Sequence, residues 1–214
     1  MPEKKQRVKK IITLLNKKYR NPKTALNHKT PHELLVATML SAQCTDKRVN
    51  EVTKDLFKKY RKVKDYAQVS VEKFEKDIRT TGFFRNKAKN IVASSKIIVE
   101  KFRSRTPDTM EKLITLPGVA RKTANVVLSE VFGKNEGIAV DTHVRRLSQR
   151  LSLSENSNPE KIEKDLMEIT NKKNWGEISN LMISHGRTIC TARNPKCKAC
   201  ILNKDCPSAS SFKN

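Results

Sequence analysis

The sequence predicts an all-α fold. Apolar residues recur at helical spacing along almost the whole chain, sustained strand alternation is absent, and helix-opening residues stand ahead of the apolar stripes. The first stripe is Val8, Ile11, Ile12, Leu15 and Tyr19. Thr30, Pro31 and Glu33 then read as a capping box with proline at the first helical position. Val49, Val52, Leu56 and Tyr60 mark the next helix, and Ser70 heads another through Val71, Phe74 and Ile78. Gly82 reads as a stop, and a long stripe follows at Ile91, Val92, Ile98 and Phe102. A helix from Ala124 to Phe132 is closed by Gly133. Three more follow at Val144, Leu147 and Leu151, at Ile162, Leu166 and Ile169, and at Ile178, Leu181 and Met182, where Trp175 shares the stripe and reads as core. The expected count is nine or ten. Between them LSLSENSNPEK, residues 151–161, reads as a polar surface loop whose Pro159 opens a helix. No internal repeat or low-complexity tract is found.

Composition narrows the function. The chain has 214 residues, 36% of them hydrophobic, and lacks an apolar run near the ~18 residues that a membrane span requires. The N-terminal apolar stretch, Ile11 to Leu15, is too short for an export signal. Four of the five cysteines fall between Cys190 and Cys206, close to the C-terminus, which suits a local ligand cluster better than a disulfide framework. A reducing, cytoplasmic setting is therefore expected, with no membrane partner. Lys and Arg number 45 against 22 Asp and Glu, a formal charge of +23. A surface adapted only to heat or crowding would balance its lysines with acids. The excess points to a polyanion, and nucleic acid is the expected partner.

The C-terminal segment CTARNPKCKACILNKDC has the spacing C-x6-C-x2-C-x5-C and gathers Cys190, Cys197, Cys200 and Cys206 into one short stretch. Four soft thiolates so close together suit one metal centre. Structural zinc sites usually pair two short knuckles, and only one is present here. The unequal spacing favours a 4Fe-4S cluster, with zinc remaining open on spacing alone. Arg187, Arg193, Lys196, Lys198 and Lys204 lie in and around this loop, where a folded loop would hold them ready for phosphate. Cys44 stands apart and reads as a small buried residue on an apolar helix.

LPGVARKTA at 116–124 sets Pro117 and Gly118 between two helical patterns, followed at once by Arg121, Lys122 and Thr123. This is a helix-hairpin-helix. Glycine permits close approach there, and the N–H groups opening the second helix offer an anion site for a DNA phosphate. Asp141, in IAVDTHVRRLSQRL, precedes another helix, where an N-cap aspartate is a sufficient explanation taken singly. Taken singly, Lys122 is one solvated cation among many.

LSAQCTD at 40–46, LPGVARKTA, VDTHV at 140–144 and the cysteine tail, in this order, together resemble the endonuclease III family of DNA glycosylases over nearly the whole chain. The resemblance implies two helical domains flanking a DNA-binding groove. One is a six-helix barrel carrying the hairpin, over residues 24–134, and the other an iron-sulfur domain formed by residues 1–23 and 135–214. It implies a monomeric base excision repair enzyme acting on duplex DNA that carries a damaged base, oxidised pyrimidines above all, or an abasic site. Lys122 matches the family's nucleophile, whose amine attacks C1′, expels the base and forms a Schiff base that permits β-elimination of the 3′ phosphate. Attack needs the neutral amine, and Arg121 and the positive helix end are placed to disfavour a further charge. Asp141 matches the carboxylate that assists, either by accepting a proton or by stabilising charge on the sugar. Gln43 matches the residue that fills the gap left by the extruded nucleotide, and Phe83 falls where the family places an apolar wedge. His143 matches a position near the active site and the DNA backbone. Gly118, Ala120, Arg121, Thr123, Arg193 and Lys196 complete the expected DNA contacts, and the four C-terminal cysteines are the expected ligands of a 4Fe-4S cluster.

Two departures stand out. Ala120 occupies a hairpin position that is commonly a second glycine, and one extra residue lies in GKNEG before Asp141. Alanine keeps the backbone N–H, so phosphate binding should survive unless the position requires positive φ. Two rival functions remain: a mismatch glycosylase that only removes the base, which usually lacks lysine at the position of Lys122, and a non-catalytic iron-sulfur DNA-binding module, which would need neither Lys122 nor Asp141.

Overall fold

The structure is a computed structural model that describes residues 2–20 and 22–212. Among the described residues it holds eleven α-helices joined by loops and short 3-10 turns, with no strand. The chain divides into two compact units: residues Thr24–Lys134, and Met1–Lys23 together with Asn135–Asn214.

The N-terminal helix α1 (Pro2–Tyr19) belongs to the second of these. The unit Thr24–Lys134 runs α2 (Pro31–Leu40), α3 (Asp46–Lys59), α4 (Val63–Gln68), α5 (Val71–Ile78), α6 (Phe84–Lys101), α7 (Met110–Leu113) and α8 (Arg121–Phe132). Helix α2 buries His32 and every residue from Leu34 to Leu40, so it is apolar all round and lies inside its unit, against α8, α3 and α6. Thr30 caps it, its hydroxyl accepting from Glu33 N at 3.2 Å, while the Glu33 carboxylate reaches back to Lys29 N instead of Thr30 N. The expected capping box is thus half formed, with the return bond one residue early. Helices α4 and α5 pack on α6. The rings of Tyr60, Tyr66 and Phe74 meet pairwise, with centroids 5.2 to 5.8 Å apart.

Two of these helices carried no sequence signal. Helix α4 buries only Tyr66, and its entry is satisfied by Asp65, whose Oδ2 accepts from Arg61 N and Lys62 N at 2.8 Å each. Helix α7 is a single turn, too short to show a period. Cys44 also departs from expectation. It is half-buried in the turn that follows α2, packed against the core and not on a helix.

The other unit packs α1 with α9 (Thr142–Arg150), α10 (Pro159–Ile169) and α11 (Trp175–Thr188) around a core that includes Ile11, Leu15, Leu147, Leu166 and Met182. Asn158 caps α10 with Pro159 at its first position. The segment ahead of it is not simply a surface loop: Leu151, Leu153 and Ser154 are buried, and Asp165 accepts from Ser154 Oγ and from Asn156 Nδ2. Trp175 is half-buried against this core and donates Nε1–H to Thr170 O at 3.0 Å. The tail after α11 folds through three 3-10 turns, Cys197–Ala199, Asn203–Asp205 and Ala209–Ser211. Among the described residues, no helix is long and apolar enough to cross a membrane.

Candidate active site

The hairpin joins α7 to α8 and is anchored by Leu113, Leu116 and Val119, each at most 5% exposed. Gly118 has φ +76, and a methyl group there would lie 2.7 Å from Asn90 Nδ2 and 2.9 Å from Asn90 Cβ. Both the backbone conformation and the close approach of α6 therefore require glycine. Ser94 Oγ donates to Pro117 O at 2.8 Å and fixes the turn from the same helix. Ala120, by contrast, has φ −85, so alanine sits there without strain and the missing glycine is no defect. Ala120 is the N-cap of α8 and offers no side-chain acceptor to the first-turn N–H groups. Arg121 and Lys122, the first two residues of α8, are exposed, and Thr123 is half-buried. An uncapped helix start flanked by cations is an anion site in the making.

Asp141 is the N-cap of α9 in the other unit. Its Oδ1 accepts from His143 N and Val144 N, both at 2.8 Å, which leaves Oδ2 outside the cap. His143 is half-buried, and Arg146 Nη2 donates to its Nδ1 at 3.0 Å. Burial, followed by Arg146 and Arg187, holds the imidazole below its ordinary value, against the opposing pull of Asp141. The backbone of α11 comes close here, since a methyl on Gly186 would lie 2.8 Å from His143 Nδ1.

Gln43 and Phe83 both sit in the left-handed region, with φ +52 and +47, and both are exposed, Phe83 at 64%. A phenylalanine in this conformation with its ring in water is neither core nor an ordinary helix cap.

The four C-terminal cysteines are free thiols that line one small apolar cavity with Ile189, Pro195 and Phe212. Among the described residues, no three cysteine, histidine or carboxylate side chains converge to hold a single metal ion. The thiols stand around a volume instead, as ligands to the separate corners of a cluster do. Burial first, then the neighbouring thiols, push Cys200 and Cys206 above the ordinary thiol value. A positive metal centre is the kind of group that offsets such crowding. Arg150 closes one side of the cavity, donating to Cys190 Sγ at 3.2 Å and Thr191 O at 2.8 Å, and stacking at 4.4 Å on the Phe212 ring. Arg146 donates to Cys190 O and Gly186 O, each at 2.9 Å. Arg193, Lys196, Lys198 and Lys204 all point to solvent from this loop.

The sequence profile of HhH-GPD superfamily base excision DNA repair proteins matches residues 36–172. A protein named endonuclease III from Synechocystis sp. is 51% identical over 209 residues, covering 98% of this chain and 95% of its own. The chain belongs to the endonuclease III family of the HhH-GPD superfamily. Another endonuclease III, from Bacillus subtilis, is 46% identical over 85% of this chain and 83% of its own. The fold agrees with a solved structure titled as a trapped endonuclease III–DNA covalent intermediate, with TM-score 0.92 and 42% identity over 97% of both chains. Endonuclease III is a base excision repair enzyme, and the hairpin is the element for which the superfamily is named.

Some of the site was not visible in the sequence. Arg146 and Arg150, which hold the cysteine loop, are four residues apart on α9 and so share one face of it, a spacing that names no partner. Lys87 and His185 gave no signal at all, and Tyr19 only that of an apolar stripe, because each acquires its role from partners distant in sequence.

Proposed function

We propose that this endonuclease III family chain is a bifunctional DNA glycosylase and abasic-site lyase that removes damaged bases, oxidised pyrimidines among them, from duplex DNA. The observation that carries the reading is the exposed Lys122 on the first turn of the uncapped α8, in a chain that matches a covalently trapped endonuclease III–DNA complex along nearly its whole length.

The hairpin N–H groups and Arg121 hold the phosphate backbone, with Gly118 shaping the turn and Thr123 opening the helix beside them. Gln43 and Phe83 fill the space vacated when the damaged nucleotide leaves the stack. The Lys122 amine attacks C1′, and the C1′–N bond to the base breaks as the base departs with a proton. Sugar ring opening gives the Schiff base. Loss of a C2′ proton then expels the 3′ phosphate, and water releases the lysine. Asp141, with Oδ2 clear of its helix cap, accepts a proton or stabilises positive charge on the sugar, and His143 approaches the backbone beside it.

Cys190, Cys197, Cys200 and Cys206 would hold a 4Fe-4S cluster, which would supply a rigid, redox-capable staple for the tail that bears Arg193 and Lys196. The enzyme acts as a monomer in the cytoplasm, its +23 charge drawing it onto DNA.

Borohydride trapping on duplex DNA with an oxidised pyrimidine tests the reading. A covalent adduct with the parent chain and none with Lys122→Ala is the expected result. Adduct formation by Lys122→Ala would remove the nucleophile assignment. Base release without any adduct by the parent would leave a glycosylase that lacks lyase activity.

A further inference from the structure

Lys87 is one of the least exposed charged residues in the chain, at 6%. It lies on the first turn of α6, where its N–H donates to Phe83 O at 3.2 Å. Its ammonium group turns inward and donates to two backbone carbonyls, Leu40 O and Thr81 O, each at 2.8 Å. These two carbonyls come from segments far apart in the sequence, with α3, α4 and α5 between them. Leu40 ends α2, and Gln43 follows three residues later. Thr81 ends the 3-10 turn after α5, and Phe83 follows two residues later.

Each segment needs such a hold. The carbonyls at the end of α2 carry the negative end of the helix dipole and lack intrahelical partners. Beyond each anchored carbonyl the chain turns into the left-handed region at a residue other than glycine, Gln43 at φ +52 and Phe83 at φ +47. Such conformations persist only where the surroundings fix them. The Cys44 N–H closes the first turn on Ser41 O at 3.1 Å, and Thr81 Oγ1 donates to Ile78 O at 2.8 Å to close the second, while Lys87 ties one turn to the other. Burial holds its amine below the ordinary lysine value, with the Cys44 thiol opposing. A hydrocarbon side chain would fill the space at lower desolvation cost but would leave both carbonyls without this donor.

We infer that Lys87 is a positioning residue that locks the Gln43 and Phe83 turns to each other, so that the two side chains enter the DNA stack as one preformed unit. The inference rests on the gap-filling roles assigned above to Gln43 and Phe83. Because neither turn is free to move alone, ordering them costs little when DNA binds, and base extrusion benefits directly. Reactions that need no base extrusion gain nothing from Lys87.

The test compares single-turnover excision of an oxidised pyrimidine from fully paired duplex DNA with borohydride trapping on a single-stranded oligonucleotide bearing an abasic nucleotide. Lys87→Met is expected to slow duplex excision by about ten-fold or more, while single-strand trapping stays within about two-fold of the parent. In a chain already carrying Gln43→Ala and Phe83→Ala, Lys87→Met is expected to slow duplex excision no further. Equal loss on both substrates, or a full additional loss in the triple variant, would overturn the proposal and leave Lys87 a general structural residue. If Gln43→Ala with Phe83→Ala leaves duplex excision unchanged, the gap-filling reading itself falls, and this inference falls with it. Should Lys87→Met fail to fold, Lys87→Gln, which keeps an amide donor on a shorter side chain, carries the same comparison with a smaller expected loss on the duplex, and equal loss on both substrates overturns the proposal there too.

Discussion

His185 places Nε2 3.3 Å from Cys200 Sγ and Nδ1 3.0 Å from the Tyr19 hydroxyl, while it is itself only 1% exposed. In the tautomer that carries its hydrogen on Nε2, the imidazole presents Nε2–H to the sulfur and Nδ1 accepts from the Tyr19 hydroxyl, the arrangement that supports a ligating thiolate. His185→Phe should therefore loosen the proposed cluster. Decay of the broad absorbance near ~400 nm under a chelator is expected to quicken by roughly ten-fold. Tyr19→Phe leaves the imidazole in place but frees its tautomer, so its decay rate should fall between the other two. Identical decay in parent and His185→Phe proteins would show that the contact does not support the cluster.

Gly118 carries two separate requirements, positive φ and the nearness of Asn90, whose Nδ2 a methyl group there would meet at 2.7 Å. Gly118→Ala should lower stability by about 2 kcal/mol, part strain and part clash. In an Asn90→Ala background the clash term disappears and only the conformational term, about 1 kcal/mol, remains. Urea unfolding of the four proteins in this cycle measures both. DNA affinity should fall with Gly118→Ala in either background, because the hairpin N–H groups shift with the turn.

The amphipathic helices were readable because their partners are generic. Any apolar surface satisfies the stripe of Val8, Ile11 and Leu15, and all three are buried as expected. Caps were readable wherever one side chain suffices, as at Thr30 and Ser70. Helix α4 was hidden because its cap is an aspartate inside the helix and its single buried side chain shows no period. In the site, the cysteines stood out by residue type and local spacing, whereas Lys122 and Asp141, taken singly a solvated cation and a helix cap, stood out only through the resemblance of the blocks that carry them. Lys87 did not, being one cation among 45 Lys and Arg until the fold delivers two carbonyls from the distant ends of α2 and of the turn after α5. The exposure of Phe83 was likewise unreadable, since a phenylalanine after glycine is as compatible with a core as with a wedge.

His32 is buried on α2 with its ring 4.9 Å from that of Tyr66, and burial pushes its pKa down to about 4. Ser95 Oγ donates to Ile91 O and so takes the His32 Nε2–H, while among the described residues Nδ1 has no partner. The unfolded chain protonates this histidine below pH ~6.5, and the folded chain only near the lower value. The unfolded state thus binds more protons between these limits, and stability falls as the pH drops through that window, by up to about 3 kcal/mol. His32→Phe should flatten the decline measured by urea unfolding at several pH values. His185, also pushed down to about 4, leaves part of the slope in place. An unchanged slope in His32→Phe would show that this histidine is not held neutral.

Asp141 caps α9 and, in the proposed mechanism, also assists the attack on the sugar, and substitution can separate the two. Its Oδ1 caps α9 through His143 N and Val144 N, and an asparagine amide oxygen caps a helix about as well as a carboxylate. Asp141→Asn should therefore keep stability within about 0.5 kcal/mol of the parent. It removes the charge and the basic oxygen, so single-turnover base excision should fall by roughly 10² to 10⁴. Asp141→Ala loses the cap as well and should cost about 1 kcal/mol of stability beyond a comparable loss of rate. Parent-like excision by Asp141→Asn would reduce the residue to a helix cap and would move the search for the proton acceptor to His143, the next titratable side chain on α9.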